Sequence, residues 1–172
     1  YRLKPASPDV ERDSLADAER ALQLIRQNAK AWNIDPHRIG LIGVSAGGNL
    51  ALNIASHFSQ GDPNAKNPLD RESARPDFVA LLSPWPDGNK ITNYPIPKNA
   101  PPAFIASARD DRTAPTSFAQ SIADEYQAAG IKHTPWLIDS GGHGAFTIGG
   151  TGEGAKIPDH LWTWLQQIGM TP

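Results

Sequence analysis

The chain has 172 residues, 39% hydrophobic and 20% charged, with 16 Lys and Arg against 18 Asp and Glu for a formal net charge of −2. That length suffices for one core, and so balanced a charge offers no electrostatic footprint for a phosphate backbone, so nucleic acid is not an expected partner. Zero cysteines exclude disulfides, thiolate metal sites and cysteine nucleophiles; no run reaches the roughly 18 to 20 apolar residues of a membrane-spanning helix, so no membrane partner is expected.

Over residues 9–32, Leu15, Ala18, Leu22, Ile25, Ala29 and Trp32 recur at steps of three and four, which predicts one face of a long helix. Asn33, Ile34, Asp35 and Pro36 end it, because proline denies the helical region to the residue before it. Residues 38–44 form a short, nearly continuous apolar run, as expected of a parallel strand covered on both faces. Leu50, Ile54 and Phe58 predict a second helix over 49–58, and the polar stretch 60–76, rich in Pro, Asn and Asp, predicts a loop. A second strand is expected over 77–83, and the segment 84–102 has too many prolines for a regular element.

Next come strand 103–108, helix 115–129 with Phe118, Ile122, Tyr126 and Ala129 inward, and strand 132–138. A glycine-rich loop over 140–154 precedes a last helix over 158–168, with Leu161, Leu165 and Ile168 inward. This alternation predicts an α/β fold: one domain over 1–172 built on an open, mostly parallel sheet with helices on both faces. Such sheets place chemistry beyond the carboxyl ends of their strands, which singles out the loops after Val44, Ser83, Ala108 and Ile138.

After the first strand stands Gly43-Val44-Ser45-Ala46-Gly47-Gly48, leading directly into a helix. A serine on a sharp, strained turn needs small neighbours on both sides, so that its hydroxyl projects and the next N–H, that of Ala46, can donate to a developing oxyanion. Serine alone is a weak nucleophile and requires a base and an orienting acid. The loop after the third strand holds Asp110 and Asp111, either of which can orient an imidazole. The loop after the fourth reads Gly141-Gly142-His143-Gly144, and of the five histidines His143 alone occupies an active-edge loop, with His37, His57, His133 and His160 on or beside other elements.

The chain order Ser, Asp, His, together with Gly43 through Ala51, Asp111 through Pro115 and Gly142-His143-Gly144, resembles the α/β-hydrolase superfamily of serine esterases. Tyr1 through Pro5, Asp17 and Ile34 through Ile39 resemble the segment before the nucleophile in its hormone-sensitive-lipase and carbohydrate-esterase branches. The resemblance implies Ser45 as nucleophile, Asp111 as orienting acid, His143 as base and the Ala46 N–H as an oxyanion donor. It favours Asp111 because carbohydrate-esterase and dienelactone-hydrolase types place the acid four residues before a proline, here Pro115, which leaves Asp110 a solvated neighbour.

The hormone-sensitive-lipase branch usually carries Asp-Pro-x-x-Asp, absent here, and an Asp where this chain has Val44. Those departures favour acetylxylan-esterase-like or feruloyl-esterase-like enzymes. The implied activity is carboxylic-ester hydrolysis through an acyl-enzyme, on short acyl esters such as acetylated carbohydrate, with no cofactor or metal. Two rival readings are a peptidase of the prolyl-oligopeptidase type, which shares the triad order, and a hydrolase-fold fragment serving as a binding module.

Trp85 and Tyr94, in the proline-rich segment, are candidates to wall a substrate subsite, whereas Trp32, Trp136, Trp162 and Trp164 lie on regular elements and are expected to pack. Gly150 through Lys156 faintly resembles a phosphate loop, but Ala155 stands where glycine is needed and Ile157 where Ser or Thr is needed. The opening residues show neither a start Met nor a signal core, and no His-Gly-Gly sequence precedes Ser45. The expectation is the C-terminal two-thirds of a hydrolase domain, with upstream strands and the second oxyanion donor outside it. Strand 38–44 would then be an exposed apolar edge open to self-association.

Overall fold

The computed structural model describes residues 9–86, 95–147 and 149–171. Helix α1 spans Val10–Asn28, and its N-cap Asp9 accepts a hydrogen bond from the Arg12 N–H. The chain turns out of the helix through Asn33 at φ 54°. Regular helix therefore ends short of Trp32, which is 51% exposed and does not extend the buried stripe as expected. The remaining elements are β1 (Leu41–Val44), α2 (Ala46–Ser56), β2 (Val79–Leu82), β3 (Ala103–Ala108), α3 (Thr116–Ala129), β4 (His133–Ile138) and α4 (Ile157–Gln167). Within the predicted loop 60–76 the structure adds one 3-10 turn, Pro68–Arg71, where the Asn67 side chain accepts the Leu69 N–H.

The four strands are all parallel, in the order β1-β2-β3-β4. Alternate residues of the central strands feed two cores. Val79, Leu81, Ala103 and Ile105 pack with Leu52 of α2 and with Phe118, Ile122 and Tyr126 of α3. Ala80, Leu82, Phe104 and Ala106 pack with Phe146 and with Trp164 of α4. Burial on both faces is why β2 reads as an uninterrupted apolar run and β3 as one broken only by Ser107. α1 covers α2 through Leu22, Ile39 and Ile54.

β1 departs from the reading of its residues as a strand covered on both faces and matches the expectation of an exposed apolar edge. It is the sheet edge, Ile42 is 57% exposed, and a groove of about 290 Å³ lined by Ala18, Leu41, Ile42 and Leu50 runs beside it. The apolar pattern of a central parallel strand is present here at an edge.

A partly buried ion pair ties α1 to the strand entrances. Arg26 Nη2 lies 3.0 Å from Asp77 Oδ2, Arg26 Nη1 donates to the Ser73 carbonyl at 2.8 Å, and the Ile39 N–H donates to Asp77 Oδ2 at 2.9 Å. Because the Arg26 side chain is only 9% exposed, Asp77→Ala would leave a largely desolvated cation with carbonyl partners but no counter-charge at Nη2. The expected cost is about 2–3 kcal/mol in urea denaturation, between an exposed and a fully buried pair. A loss below about 1 kcal/mol, the scale of an exposed ion pair, would contradict it.

Candidate active site

The turn between β1 and α2 forces Ser45 into φ 56°, ψ −120°, a sparsely populated region for a residue with a side chain. Three backbone bonds hold it there. The Ser45 N–H donates to the Leu82 carbonyl at 2.9 Å, and the Ser45 carbonyl accepts the N–H groups of Asn49 and Trp85, each at 3.1 Å. A Cβ on Gly43 would collide with the Gly47 carbonyl, and one on Gly48 would press on Pro84 at 3.1 Å, whereas Gly47 has open space around it. The expected need for smallness thus holds at Gly43 and Gly48 and fails at Gly47. α2 begins at Ala46, three residues earlier than the apolar spacing predicted, with Ser45 as its N-cap.

A capping serine ordinarily turns its hydroxyl onto the helix's first N–H groups. Ser45 makes no such bond, and its Oγ instead lies 2.8 Å from His143 Nε2. His143 Nδ1 lies 2.9 Å from Asp111 Oδ2. A carboxylate only accepts, so Nδ1 carries the ring proton, Nε2 keeps its lone pair, and the Ser45 hydroxyl donates. The Ala46 N–H belongs to the first turn of α2, where intrahelical acceptors are lacking and the helix dipole is positive.

Asp111 is 5% exposed, and its Oδ1 accepts the N–H groups of Thr113 and Ala114, both at 2.8 Å. Burial alone would raise its pKa, but the bonds from Ala114, His143 and Thr113 outweigh burial and hold the carboxyl below the ordinary range. The stability linked to this depressed pKa is fully present above the unfolded value of about 3.9 and is lost as pH falls through the lower folded one.

Asp110 is exposed yet not a solvated bystander, since it accepts the N–H groups of Gly141 and Gly142 in the His143 loop. Gly150 and Gly154 also have a local reason: a Cβ on either would collide with the Ala145 carbonyl, so both permit close approach within this loop. Ser83 marks a strand end in the sequence, with no sign of its backbone conformation. It is fully buried at the same sheet edge with φ 42°, and nothing in its apolar neighbours signals that conformation.

Trp85 is bonded to Ser45 through its backbone and is 37% exposed; Tyr94 lies outside the described residues. Trp164 packs in the core at 2% exposure and Trp136 packs beside it, but Trp162 is 54% exposed and, like Trp32, does not pack as expected. Two residues apart on α4, Trp162 and Trp164 point in opposing directions.

A family profile described as alpha/beta hydrolase fold matches residues 1–113. The acetylxylan esterase of Xylanibacter ruminicola is 30% identical over 98% of this chain, and endo-1,4-beta-xylanase B of Butyrivibrio fibrisolvens is 27% identical over 80%. This chain spans 38% and 25% of the lengths of those two proteins. The acetyl ester-xyloside bifunctional hydrolase of Caldicellulosiruptor lactoaceticus superposes with a TM-score of 0.85 at 28% identity, covering 99% of this chain and 69% of its own. MGS-M1, an alpha/beta hydrolase enzyme from a deep-sea metagenome library, gives 0.69 at 26% identity, covering 97% and 66%.

Proposed function

This chain belongs to the α/β hydrolase fold family, and on that footing we propose that it is a serine carboxylic-ester hydrolase that removes short acyl groups from xylan-type carbohydrate. The observation that carries the reading is the relay from Ser45 Oγ to His143 Nε2 at 2.8 Å and from His143 Nδ1 to Asp111 Oδ2 at 2.9 Å. Ser45 Oγ bonds to the ester carbonyl carbon while His143 Nε2 takes the hydroxyl proton. Negative charge gathers on the carbonyl oxygen, facing the Ala46 N–H. Collapse breaks the bond to the alcohol, which leaves with the proton from Nε2. Water then gives a proton to Nε2 and attacks the acyl-enzyme, releasing the carboxylic acid and restoring the Ser45 hydroxyl. Asp111 fixes the imidazole tautomer and stabilises the imidazolium without taking its proton.

The carbohydrate part rests on the names of the relatives, which speak of acetylxylan, xylan and an acetyl ester-xyloside. A glycosidase needs two carboxyl groups flanking the glycosidic bond. Here the nearby pair is otherwise engaged, Asp111 by His143 and two N–H groups, Asp110 by two more. The test is to incubate the protein with acetylated xylo-oligosaccharide and measure acetate and reducing ends separately. Acetate release without new reducing ends is expected; new reducing ends without acetate would overturn the proposal.

Trp85 would form a wall of the acyl or sugar subsite, supported by its partial exposure and its backbone bond to Ser45. That bond survives side-chain removal, so Trp85→Ala is expected to raise KM about five- to tenfold, the value of one lost aromatic contact. kcat should hold, and a collapse of kcat at unchanged KM would show that the ring supports the turn bearing Ser45 instead.

A further inference from the structure

We infer that Asp110 is a positioning residue that holds the loop carrying His143 by accepting two consecutive backbone N–H groups. The inference rests on His143 acting as the base. Asp110 Oδ2 accepts the Gly141 N–H at 3.1 Å and Oδ1 accepts the Gly142 N–H at 2.8 Å, so each carboxylate oxygen holds one amide. Outside a helix, successive amides converge on one anion where the backbone takes positive φ, and Gly141 and Gly142 adopt φ 139° and 58°.

The neighbouring bonds explain why this clamp bears on catalysis. Asp110 and Asp111 are adjacent; one holds the backbone immediately before His143 and the other holds its ring. Their own segment is anchored to the sheet, the Arg109 N–H donating to the Ile138 carbonyl at 2.9 Å and the Asp111 N–H to the Ala108 carbonyl at 3.1 Å. His143 is thereby fixed to one rigid turn at two points. Without the first point, a stretch containing two glycines at positive φ is freer to move Nε2 away from Ser45. The Gly142 and Gly141 N–H groups also hold the Asp110 carboxyl below its usual pKa range, which keeps it an ionised, acceptor-only partner.

The experiment compares Asp110→Ala, Asp110→Asn and Ser45→Ala in the full chain. Because a misplacement of about 1 Å can cost about a hundredfold, Asp110→Ala is expected to lower kcat about ten- to a hundredfold. KM should stay within about twofold, since a loss confined to kcat marks an interaction that acts on the transition state. Asp110→Asn, which keeps one acceptor oxygen, is expected to recover part of the loss. Asp110 is exposed, so the thermal midpoint should hold, while amide exchange at Gly141 and Gly142 accelerates and that at Ala114 does not. Wild-type kcat and unchanged Gly141 and Gly142 exchange in Asp110→Ala, alongside an inactive Ser45→Ala, would sink the clamp and leave the nucleophile standing. An active Ser45→Ala would sink the nucleophile reading itself. A loss of activity matched by a drop in thermal midpoint would overturn the inference in favour of a merely structural role.

Discussion

Ser45→Ala is expected to lower the turnover of p-nitrophenyl acetate by about a thousandfold or more, to the uncatalysed background, while leaving the fold unchanged. Members of a hydrogen-bonded relay fail as a unit, because His143 without a hydroxyl to deprotonate has no covalent step to assist. Alanine keeps the Cβ and therefore the strain of φ 56°, ψ −120°, so denaturation should match the parent closely. Ser45→Gly separates the two roles of the position. It is expected to be equally inactive yet more stable by about 1–3 kcal/mol, since glycine occupies positive φ without penalty. A fluorophosphonate probe should label the parent at Ser45 and fail to label either variant. Hydrolysis by Ser45→Ala above about 1% of the parent, far beyond the residue left by oxyanion stabilisation and binding alone, would place the nucleophile elsewhere.

Much of this was legible in the sequence where one physical cause sufficed. β3 matches its predicted bounds because both faces are buried and its apolar run stands between two prolines and a charged turn. α3 ends where Gly130 takes φ 71°, a stop only glycine meets at low cost. Ser45 and His143 were found because each stands among glycines at the carboxyl end of a strand. Asp110 and Asp111 were harder, since residues alone left both open and the resemblance favoured Asp111. The structure divides the work, one carboxylate on the imidazole and the other on the loop backbone. The apolar run of β1 reads the same with or without a neighbouring strand, so its residues alone predict cover on both faces; the edge exposure of Ile42 was legible only through the family resemblance, which places further strands upstream. The exposure of Trp162 was open to a stricter reading, because Trp164 two positions away cannot share its helix face.

The two glycines of Gly43-Val44-Ser45-Ala46-Gly47 are expected to respond oppositely to the same substitution. In Gly43→Ala the new Cβ meets the carbonyl of Gly47, which is backbone and cannot rotate aside, so strand and helix must separate. That is overpacking against a rigid partner, with an expected cost of about 3 kcal/mol. The shift acts directly on the turn bearing Ser45, whose 2.8 Å bond to His143 would lengthen, and turnover should fall by about a hundredfold or more. Gly47→Ala meets nothing within 4 Å and sits within α2. Replacing a helical glycine by alanine stabilises by about 0.5–1 kcal/mol, so this variant should unfold at higher urea and keep its activity. Urea denaturation and p-nitrophenyl acetate turnover measured on both variants decide the matter. Equal damage from the two would mean that the turn bearing Ser45 tolerates a Cβ at neither glycine and that the space beside Gly47 is filled in the folded protein; full activity in Gly43→Ala would mean that the turn can relax without moving Ser45.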